Sequence, residues 1–250
     1  MEDILTIILI SIILGFIIYY FDKKEDLLLK NIFKGILVFF LFYFSGVFAK
    51  IPMLIFNIKS NANTNPYLSI FSNICLAIVL FLLYRKELIK EFKKFKDNFG
   101  ENMDIGFRYW MIGLVIMMAS NILISTFVTK NQATNEQLVQ DMIKRLPIIM
   151  IINAGIIAPF VEEITFRKCF KNIFKNKWFF LIVSALVFGS LHVLPAIFKG
   201  SSIMEIFFIV PYSALGFVFA LMYYDTDTVF TSYSMHVIHN TILIILSILK

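Results

Sequence analysis

The chain has 250 residues, of which 59% are hydrophobic and 16% charged, and its mean hydropathy is +0.82. Soluble domains have roughly 45–50% apolar and about 25% charged residues, so this composition excludes a soluble globular protein and predicts an integral membrane protein. The formal charge of +6 indicates orientation and contact with anionic lipid rather than nucleic-acid binding. We therefore expect membrane lipids, and no nucleic acid, as partners.

Eight apolar stretches approach the length of about 20 residues that a membrane-spanning helix needs. In chain order they cover 4–20, 33–49, 67–84, 107–127, 147–166, 178–195, 204–224 and 229–249. The sequence thus predicts an all-α integral membrane protein, a bundle of about eight transmembrane helices with polar residues inside it.

The basic residues predict how this bundle is oriented. With the N-terminus outside, the loops at 21–34, 85–108 and 167–177 hold 4, 7 and 5 lysines and arginines, or 16, against 7 in the external segments. This split follows the positive-inside rule and predicts that the three loops are cytoplasmic. We expect a multi-pass protein of a bacterial plasma membrane.

Two connecting segments are amphipathic. Residues 87–99 place Leu88, Phe92 and Phe95 at helical spacing among lysines, and residues 136–146 repeat the pattern with other apolar residues. Basic helices of this kind lie on lipid surfaces. We predict a surface helix for each segment.

Two adjacent glutamates, Glu162 and Glu163, interrupt the fifth apolar stretch. Ionisable groups at membrane depth cost several kcal/mol each and therefore indicate a function or a partner. Arg167 follows Glu163 by four residues, the spacing of an ion pair on one helical face. Glu162 is turned by about 100° from Glu163. We predict that Glu163 is neutralised by Arg167 while Glu162 is available as a general base; in this segment alone, interfacial charges at a helix end are an equal alternative.

The histidines of the chain number three, and all lie in apolar stretches. His192 follows Phe188 by one helical turn, and His236 and Asn240 are four residues apart on one face of the last stretch. His239, near His236, is a second candidate on that helix. A lone intramembrane histidine is often a helix–helix hydrogen-bonding residue, so the argument depends on all of these residues together.

Residue counting tests whether these groups share one depth. At 1.5 Å per residue from the cytoplasmic turns, Glu162, His236 and Asn240 lie roughly 15, 12 and 18 Å deep, but His192 lies roughly 25 Å deep. The four side chains can meet only if the helices tilt or the helix after Glu162 is longer than predicted. We expect a site within the membrane that opens to the cytoplasm.

A glutamate base, an imidazole and hydrogen-bond donors form a set that activates water and stabilises an oxyanion. The sequence spacing pairs no serine or cysteine obviously with a histidine, so a covalent route is less attractive. Hydrolysis of a peptide bond by activated water is the reaction that these residue types fit best.

The three motifs resemble those of the CPBP intramembrane proteases, which include type II CAAX prenyl endopeptidases, bacteriocin-processing and immunity proteins, and abortive-infection proteins. The family pattern E-E-x-x-x-R, F-x-x-x-H and H-x-x-x-N reads here as EEITFR (Glu162, Glu163, Arg167), FGSLH (Phe188, His192) and HVIHN (His236, Asn240). The resemblance covers roughly residues 143–250. One position departs from the pattern: the residue after the arginine is usually small in the family, and here it is Lys168.

The resemblance implies an eight-helix bundle that hydrolyses peptides within the membrane, with a catalytic membrane domain at 131–250 after a four-helix region at 1–130. Its implied roles are water activation by Glu162 and His192, and oxyanion stabilisation by His236 and Asn240. Glu163 and Arg167 would support the site. Implied substrates are small peptide precursors, such as bacteriocins or signalling peptides, or lipid-anchored tails.

Two further questions stay open at the level of the sequence. Glu162, His192 and His236 could bind zinc, although the tight H-E-x-x-H motif is absent and use of a metal by the family has been argued both ways. A non-catalytic membrane scaffold or regulatory partner that retains the motifs is the main alternative to an enzyme. A proton-coupled transporter fits less well, because neither inverted repeats nor matching broken helices are visible.

Overall fold

The computed structural model describes residues 2–61 and 63–249, and all regular structure in these residues is helical. The α-helices are α1 (Glu2–Lys23), α2 (Leu27–Tyr43), α3 (Lys50–Ile55), α4 (Asn65–Asp97), α5 (Phe99–Phe127), α6 (Thr134–Arg145), α7 (Pro147–Ile152), α8 (Ala158–Glu162), α9 (Cys169–Ile173), α10 (Lys177–Phe198), α11 (Ile209–Thr226) and α12 (Val229–Ile248). Short 3-10 segments cover Ser45–Ala49 and Ile203–Phe208. Side-chain caps explain where three helices begin: Asp26, Asn176 and Thr228 accept hydrogen bonds from the first turns of α2, α10 and α12.

The prediction of an all-α membrane bundle is confirmed. Among the described residues, six helical segments are long and apolar enough to cross a membrane, and the bent pair Leu27–Tyr43 and Ser45–Ile55 gives up to seven. Helix α1 has 22 residues, about 33 Å of helix, which also suffices for the roughly 30 Å hydrocarbon core. The count of about eight spans is therefore roughly consistent with the structure.

The span that carries the two glutamates is an irregular helix. It runs from Pro147 to Ile173 and is interrupted by π turns at Asn153–Ile157 and Glu163–Lys168. Single π turns within α-helices occur frequently at functional sites, because each one rotates the following side chains to new directions. The second π turn begins directly after Glu162.

The prediction of a separate surface helix at 87–99 is wrong. Those residues, as far as Asp97, continue α4, whose 33 residues extend about 50 Å. No glycine or proline interrupts the helix there, and its apolar face packs on protein: Leu88 and Phe95 are buried, and the rings of Phe92 and Phe230 lie 5.1 Å apart. The helix predicted at 136–146 is confirmed as α6, with Ile143 buried against the start and end of neighbouring spans.

Glycines let three helices approach one another closely around the polar residues. A Cβ added at Gly189 of α10 would lie 2.2 Å from Ser213 Oγ of α11, and one added at Gly113 of α5 would lie 2.6 Å from Val218 of α11. Small residues at such crossings are the usual means of packing helices in membranes. Helix α11 is consequently held between α10 and α5.

Ion pairs place the basic loops on one face of the bundle. Lys34 and Lys168 both contact Glu87, at 3.2 and 2.8 Å, and Lys171 contacts Asp227 at 2.6 Å. These contacts confirm that the segments at 21–34, 85–108 and 167–177 share a face. The unusual Lys168 is thereby explained: it is buried and also pairs with Glu91.

Candidate active site

The predicted ion pair between Glu163 and Arg167 is present, and both side chains are almost completely buried. Arg167 Nη1 lies 3.5 Å from Glu163 Oε1, with side-chain exposures of 0% and 1%. Such a pair is costly to bury unless other groups complete its contacts. Arg167 also donates to the carbonyl of Gly216 at 3.4 Å, and its guanidinium lies 4.3 Å from the centre of the Phe188 ring. The Phe188 of the second motif therefore supports the arginine of the first.

Glu163 has a second partner, His236 on α12. The His236 Nδ1 atom lies 2.9 Å from Glu163 Oε1. A carboxylate can only accept, so Nδ1 carries the proton and donates to Glu163. The other ring nitrogen, Nε2, consequently points away from Glu163, and the stacked Phe219 ring, 4.7 Å away, holds the imidazole plane.

Glu162 lies on the other side of His236. Its Oε2 atom is 3.6 Å from His236 Nε2, and its side chain is 18% exposed, against 1% for Glu163. The two glutamates therefore differ in their surroundings: Glu163 is buried against Arg167 and His236, whereas Glu162 is partly exposed. His236 lies between them, a contact that the sequence did not predict.

His192 lies next to this group through the ring of Phe188. The Phe188 ring centre is 4.4 Å from that of His192 and 5.9 Å from that of His236. His192 Nδ1 donates to the Phe188 carbonyl at 2.8 Å, because a carbonyl can only accept. The lone pair of His192 is therefore on Nε2, where it can accept a proton from water.

Two features of the helices reduce the depth difference between Glu162 and His192 that residue counting gives. Helical side chains lean toward the N-terminus of their own helix. The span of Glu162 and helix α10 run in opposite directions, so Glu162 and His192 lean toward each other in depth. The helix after Glu162 also continues to Ile173, which places Glu162 deeper than the sequence suggested.

Asn240 and His239 occupy different surroundings. Asn240 Nδ2 donates to the carbonyl of Ala154 in the first π turn at 2.8 Å, which leaves its second amide hydrogen for another acceptor. His239 is buried and accepts from Trp110 Nε1 at 3.3 Å. This bond joins α12 to α5, so His239 contacts a structural tryptophan rather than the glutamates.

Two aromatic residues of α11 belong to the site but were missed by the sequence reasoning. Phe219 stacks on His236, and Tyr212 stacks on His192 with ring centres 4.8 Å apart. The motifs contain neither residue, and an aromatic side chain in an apolar helix is unremarkable. The only signal for Tyr212 was a hydroxyl group within an apolar stretch.

Of the three side chains that could ligate zinc, Glu162 and His236 lie close together, with Oε2 and Nε2 3.6 Å apart. Within the part of the chain that the structure describes, no three histidine, cysteine, aspartate or glutamate side chains are grouped as a metal ion would require. His236 already uses Nδ1 on Glu163, and His192 is separated from it by Phe188.

Comparisons with known proteins agree with the motifs. The model of the family "Type II CAAX prenyl endopeptidase Rce1-like" matches residues 144–242, which include all eight predicted site residues. The chain is 28% identical over 180 residues to the "Putative membrane peptidase YdiL" of Bacillus subtilis, covering 70% of this chain and 68% of that protein. It is 27% identical over 145 residues to the "UPF0177 protein YxdF" of Lactococcus lactis, covering 56% of this chain and 76% of that protein. No solved structure matches the chain.

The segment that matches the family, residues 144–242, contains all three motifs. The similarity to the B. subtilis protein covers 180 residues and is thus longer than this segment. Side chains of all three motifs contact one another through Glu163, Arg167, Phe188 and His236. Residues 144–242 therefore resemble the Rce1-like family of type II CAAX prenyl endopeptidases, and this match together with the B. subtilis relative supports a membrane peptidase.

Proposed function

We propose that the protein hydrolyses a peptide bond of a small peptide precursor or a lipid-anchored tail, with water activated by Glu162 and His192. The observation that carries this proposal is the contrast between the two glutamates. Glu163 is fully enclosed by Arg167 and His236, whereas Glu162 is partly exposed beside His236 Nε2. Glu162 is thus the carboxylate with an oxygen available to a water molecule.

In the first step, water binds between the Glu162 carboxylate and the Nε2 lone pair of His192. Glu162 takes one proton from the water, and the water oxygen forms a bond to the carbonyl carbon of the substrate. The π electrons of that carbonyl move onto its oxygen, which becomes an oxyanion. A positioned general base of this kind contributes about 10²–10⁴-fold to a rate.

His236 and Asn240 are suited to stabilise this oxyanion. Because Nδ1–H is bound to Glu163, His236 needs a second proton, on Nε2, to donate to the substrate oxyanion, and Nε2 lies 3.6 Å from Glu162, where the water attacks. Asn240 retains one amide hydrogen beyond the bond to Ala154. Donors held in place in a site without bulk water stabilise such charge strongly.

In the second step, the oxyanion electrons re-form the carbonyl and the carbon–nitrogen bond breaks. The electron pair of that bond goes to the nitrogen, which takes the proton held by Glu162. The products are a free amine and a carboxyl group, and Glu162 returns to its starting charge. No covalent enzyme intermediate is needed.

The matching family and the expected position of the site support one substrate class. The matching family is named for CAAX prenyl endopeptidases, and two relatives are proteins of Bacillus and Lactococcus. In a bacterial plasma membrane we expect short precursors, such as bacteriocin or signalling peptides, to reach the site from the cytoplasmic side. A role in bacteriocin processing or immunity would follow from this activity.

The test is single-turnover cleavage of hydrophobic peptides by protein in liposomes prepared in ¹⁸O water. We expect one ¹⁸O atom in the new carboxyl group with the wild type, and no cleavage with Glu162→Gln. Glu101→Gln is the matched control, because Glu101 is an exposed carboxylate at the start of α5. Cleavage by Glu162→Gln at the wild-type rate would overturn the mechanism, and a wild type without any cleavage would favour the scaffold alternative.

A further inference from the structure

We propose that Tyr212 is a positioning residue for His192, and that Asn135 on the connecting helix α6 holds Tyr212 in place. The inference rests on the proposed function, because it gives His192 a defined direction toward the water. The sequence predicted α6 only as a surface helix. In this proposal, α6 is linked to the reacting groups through Asn135 and Tyr212. Neither Tyr212 nor Asn135 belongs to the family motifs.

His192 depends on neighbouring rings for its orientation. One hydrogen bond, from Nδ1 to the Phe188 carbonyl, fixes which nitrogen carries the proton. The Phe188 ring is tilted by 46° to the imidazole, whereas the Tyr212 ring is nearly parallel to it, at 24° and 4.8 Å. A parallel ring at this distance restricts rotation of the imidazole about its Cβ–Cγ bond. Tyr212 therefore controls where Nε2 points.

The backbone of Tyr212 is fixed at the closest approach of α10 and α11. Gly189, one turn before His192, lies against Ser213, the residue after Tyr212. A Cβ at Gly189 would be only 2.9 Å from the carbonyl oxygen of Ile209 and 3.0 Å from the backbone nitrogen of Ser213. The backbone on either side of Tyr212 is thus in contact with α10, the helix that carries His192.

The hydroxyl end of Tyr212 is fixed by α6. Asn135 Nδ2 donates to the Tyr212 hydroxyl oxygen at 3.4 Å. The preceding residue, Thr134, donates its backbone N–H to the two carboxylate oxygens of Glu205 at 3.1 and 3.2 Å, and its hydroxyl donates to the same carboxylate. Glu205 is 9% exposed and lies in the 3-10 segment before α11. This carboxylate anchors the N-terminus of α6 beside Tyr212.

The consequence for catalysis is specific. Residues that orient a reacting imidazole typically change activity 10–100-fold when removed, by analogy with the second shell of metal sites. Loss of the Tyr212 ring should lower kcat by about this factor and leave KM within about twofold, since Tyr212 does not contact the substrate. Loss of the hydroxyl alone should cost only the factor of about 2–10 that one hydrogen bond provides.

The experiment compares Tyr212→Leu, Tyr212→Phe and Asn135→Ala in the liposome cleavage assay. We expect a large decrease in kcat for Tyr212→Leu, recovery of most of it in Tyr212→Phe, and an effect of Asn135→Ala no larger than that of Tyr212→Phe. The control is Tyr109→Phe, which removes a comparable hydroxyl bond, to Asp225 at 2.7 Å, away from the site. Wild-type kcat in Tyr212→Leu, or equal loss in Tyr212→Leu and Tyr212→Phe, would overturn the proposal.

A second readout does not need turnover. Because the chain has three histidines, ¹⁵N NMR of histidine-labelled protein can follow the His192 ring, with its signals assigned from a His192→Ala variant. We expect one tautomer, protonated on Nδ1, in the wild type and in Tyr212→Phe, and a mixture in Tyr212→Leu. A single tautomer in Tyr212→Leu would contradict the positioning role even if the wild type cleaved nothing.

Discussion

At the scale of single residues, Glu163 performs two tasks that can be separated experimentally. It neutralises Arg167 at 3.5 Å, and it accepts the Nδ1 proton of His236 at 2.9 Å. The first contact offsets the free-energy cost of burying the Arg167 charge. The second contact sets the orientation of the His236 imidazole. A substitution at Glu163 alone disturbs both.

We expect Glu163→Gln to destabilise the protein by about 3–5 kcal/mol, because it leaves the buried Arg167 without its carboxylate. Adding Arg167→Met should recover most of that stability, since replacing both members of a buried pair is often nearly neutral. Activity should remain low in the double variant, because His236 still lacks its carboxylate partner. Thermal unfolding in detergent, together with the cleavage rate, measures the two effects; recovery of both by the double variant would refute the role in orienting His236.

Asp227, in the turn between α11 and α12, gives a prediction about pH. Partial burial raises the pKa of Asp227, but the ion pairs with Lys171 and Lys94 outweigh it and hold that pKa below its usual value. A lowered pKa in the folded state stabilises the protein at neutral pH, and this contribution is lost as the pH falls through the folded-state pKa, below about pH 4.

Asp227→Asn is therefore expected to lower the apparent melting temperature slightly at pH 7, and the difference from the wild type should shrink toward pH 3. Asparagine also tolerates the left-handed backbone of this position, where φ is +52°, so the comparison isolates the charge. A difference that stayed constant or grew on acidification would show that the two ion pairs are not its source.

The sequence could predict the partner of Glu163 within its own helix, but not its partner on another helix. The Glu163–Arg167 pair follows from helical spacing alone. The contact with His236 depends on how α12 is rotated against a span that contains two π turns, and no local pattern encodes a π turn. The same reason explains why Phe219 and Tyr212 of α11 were missed.

At the scale of helices, the glycine at the crossing of α5 and α11 is decisive for packing. We expect Gly113→Ala to destabilise the protein by about 1–3 kcal/mol, because the added Cβ would lie 2.6 Å from Val218 Cγ2. Val218→Ala should restore part of this loss by removing the opposing methyl group. Gly100→Ala, on the same helix with no atom within 4 Å, is the matched control.

Apparent melting temperatures of the four proteins in the same detergent measure this effect. The expected order is wild type and Gly100→Ala highest, Gly113→Ala lowest, and Gly113→Ala with Val218→Ala between them. A double variant less stable than Gly113→Ala would show that the cavity at Val218 outweighs the clash.

Helix limits illustrate what periodicity can and cannot provide. The amphipathic pattern at 87–99 correctly indicated a helix, but not that it continues α4 and packs on the start of α12 through Phe92 and Phe230. A stripe of apolar residues among lysines fits a lipid surface and a protein surface equally well. The ion pairs of Lys168 could not be predicted for the same reason, because its partners Glu87 and Glu91 lie on that continuation of α4.

At the scale of the whole molecule, composition and charge distribution were sufficient to predict the helical membrane architecture. The excess of apolar residues predicted a helical membrane bundle, and the clustering of basic residues predicted three loops on one face, which the ion pairs of Lys34, Lys168 and Lys171 confirm. The compartment that this face contacts, and the division into regions 1–130 and 131–250, stay predictions. The convergence of three motifs could be predicted only through the family resemblance, since residue counting left His192 too deep.

The central claim is that Glu162 makes this membrane bundle a peptidase. The most direct measurement compares, by mass spectrometry, the peptides of cells that produce the wild type, Glu162→Gln or Glu101→Gln at equal membrane levels. We predict that at least one intact precursor accumulates only with Glu162→Gln and that its cleaved product is present in the other two strains. Identical peptide content in all three strains would contradict the account.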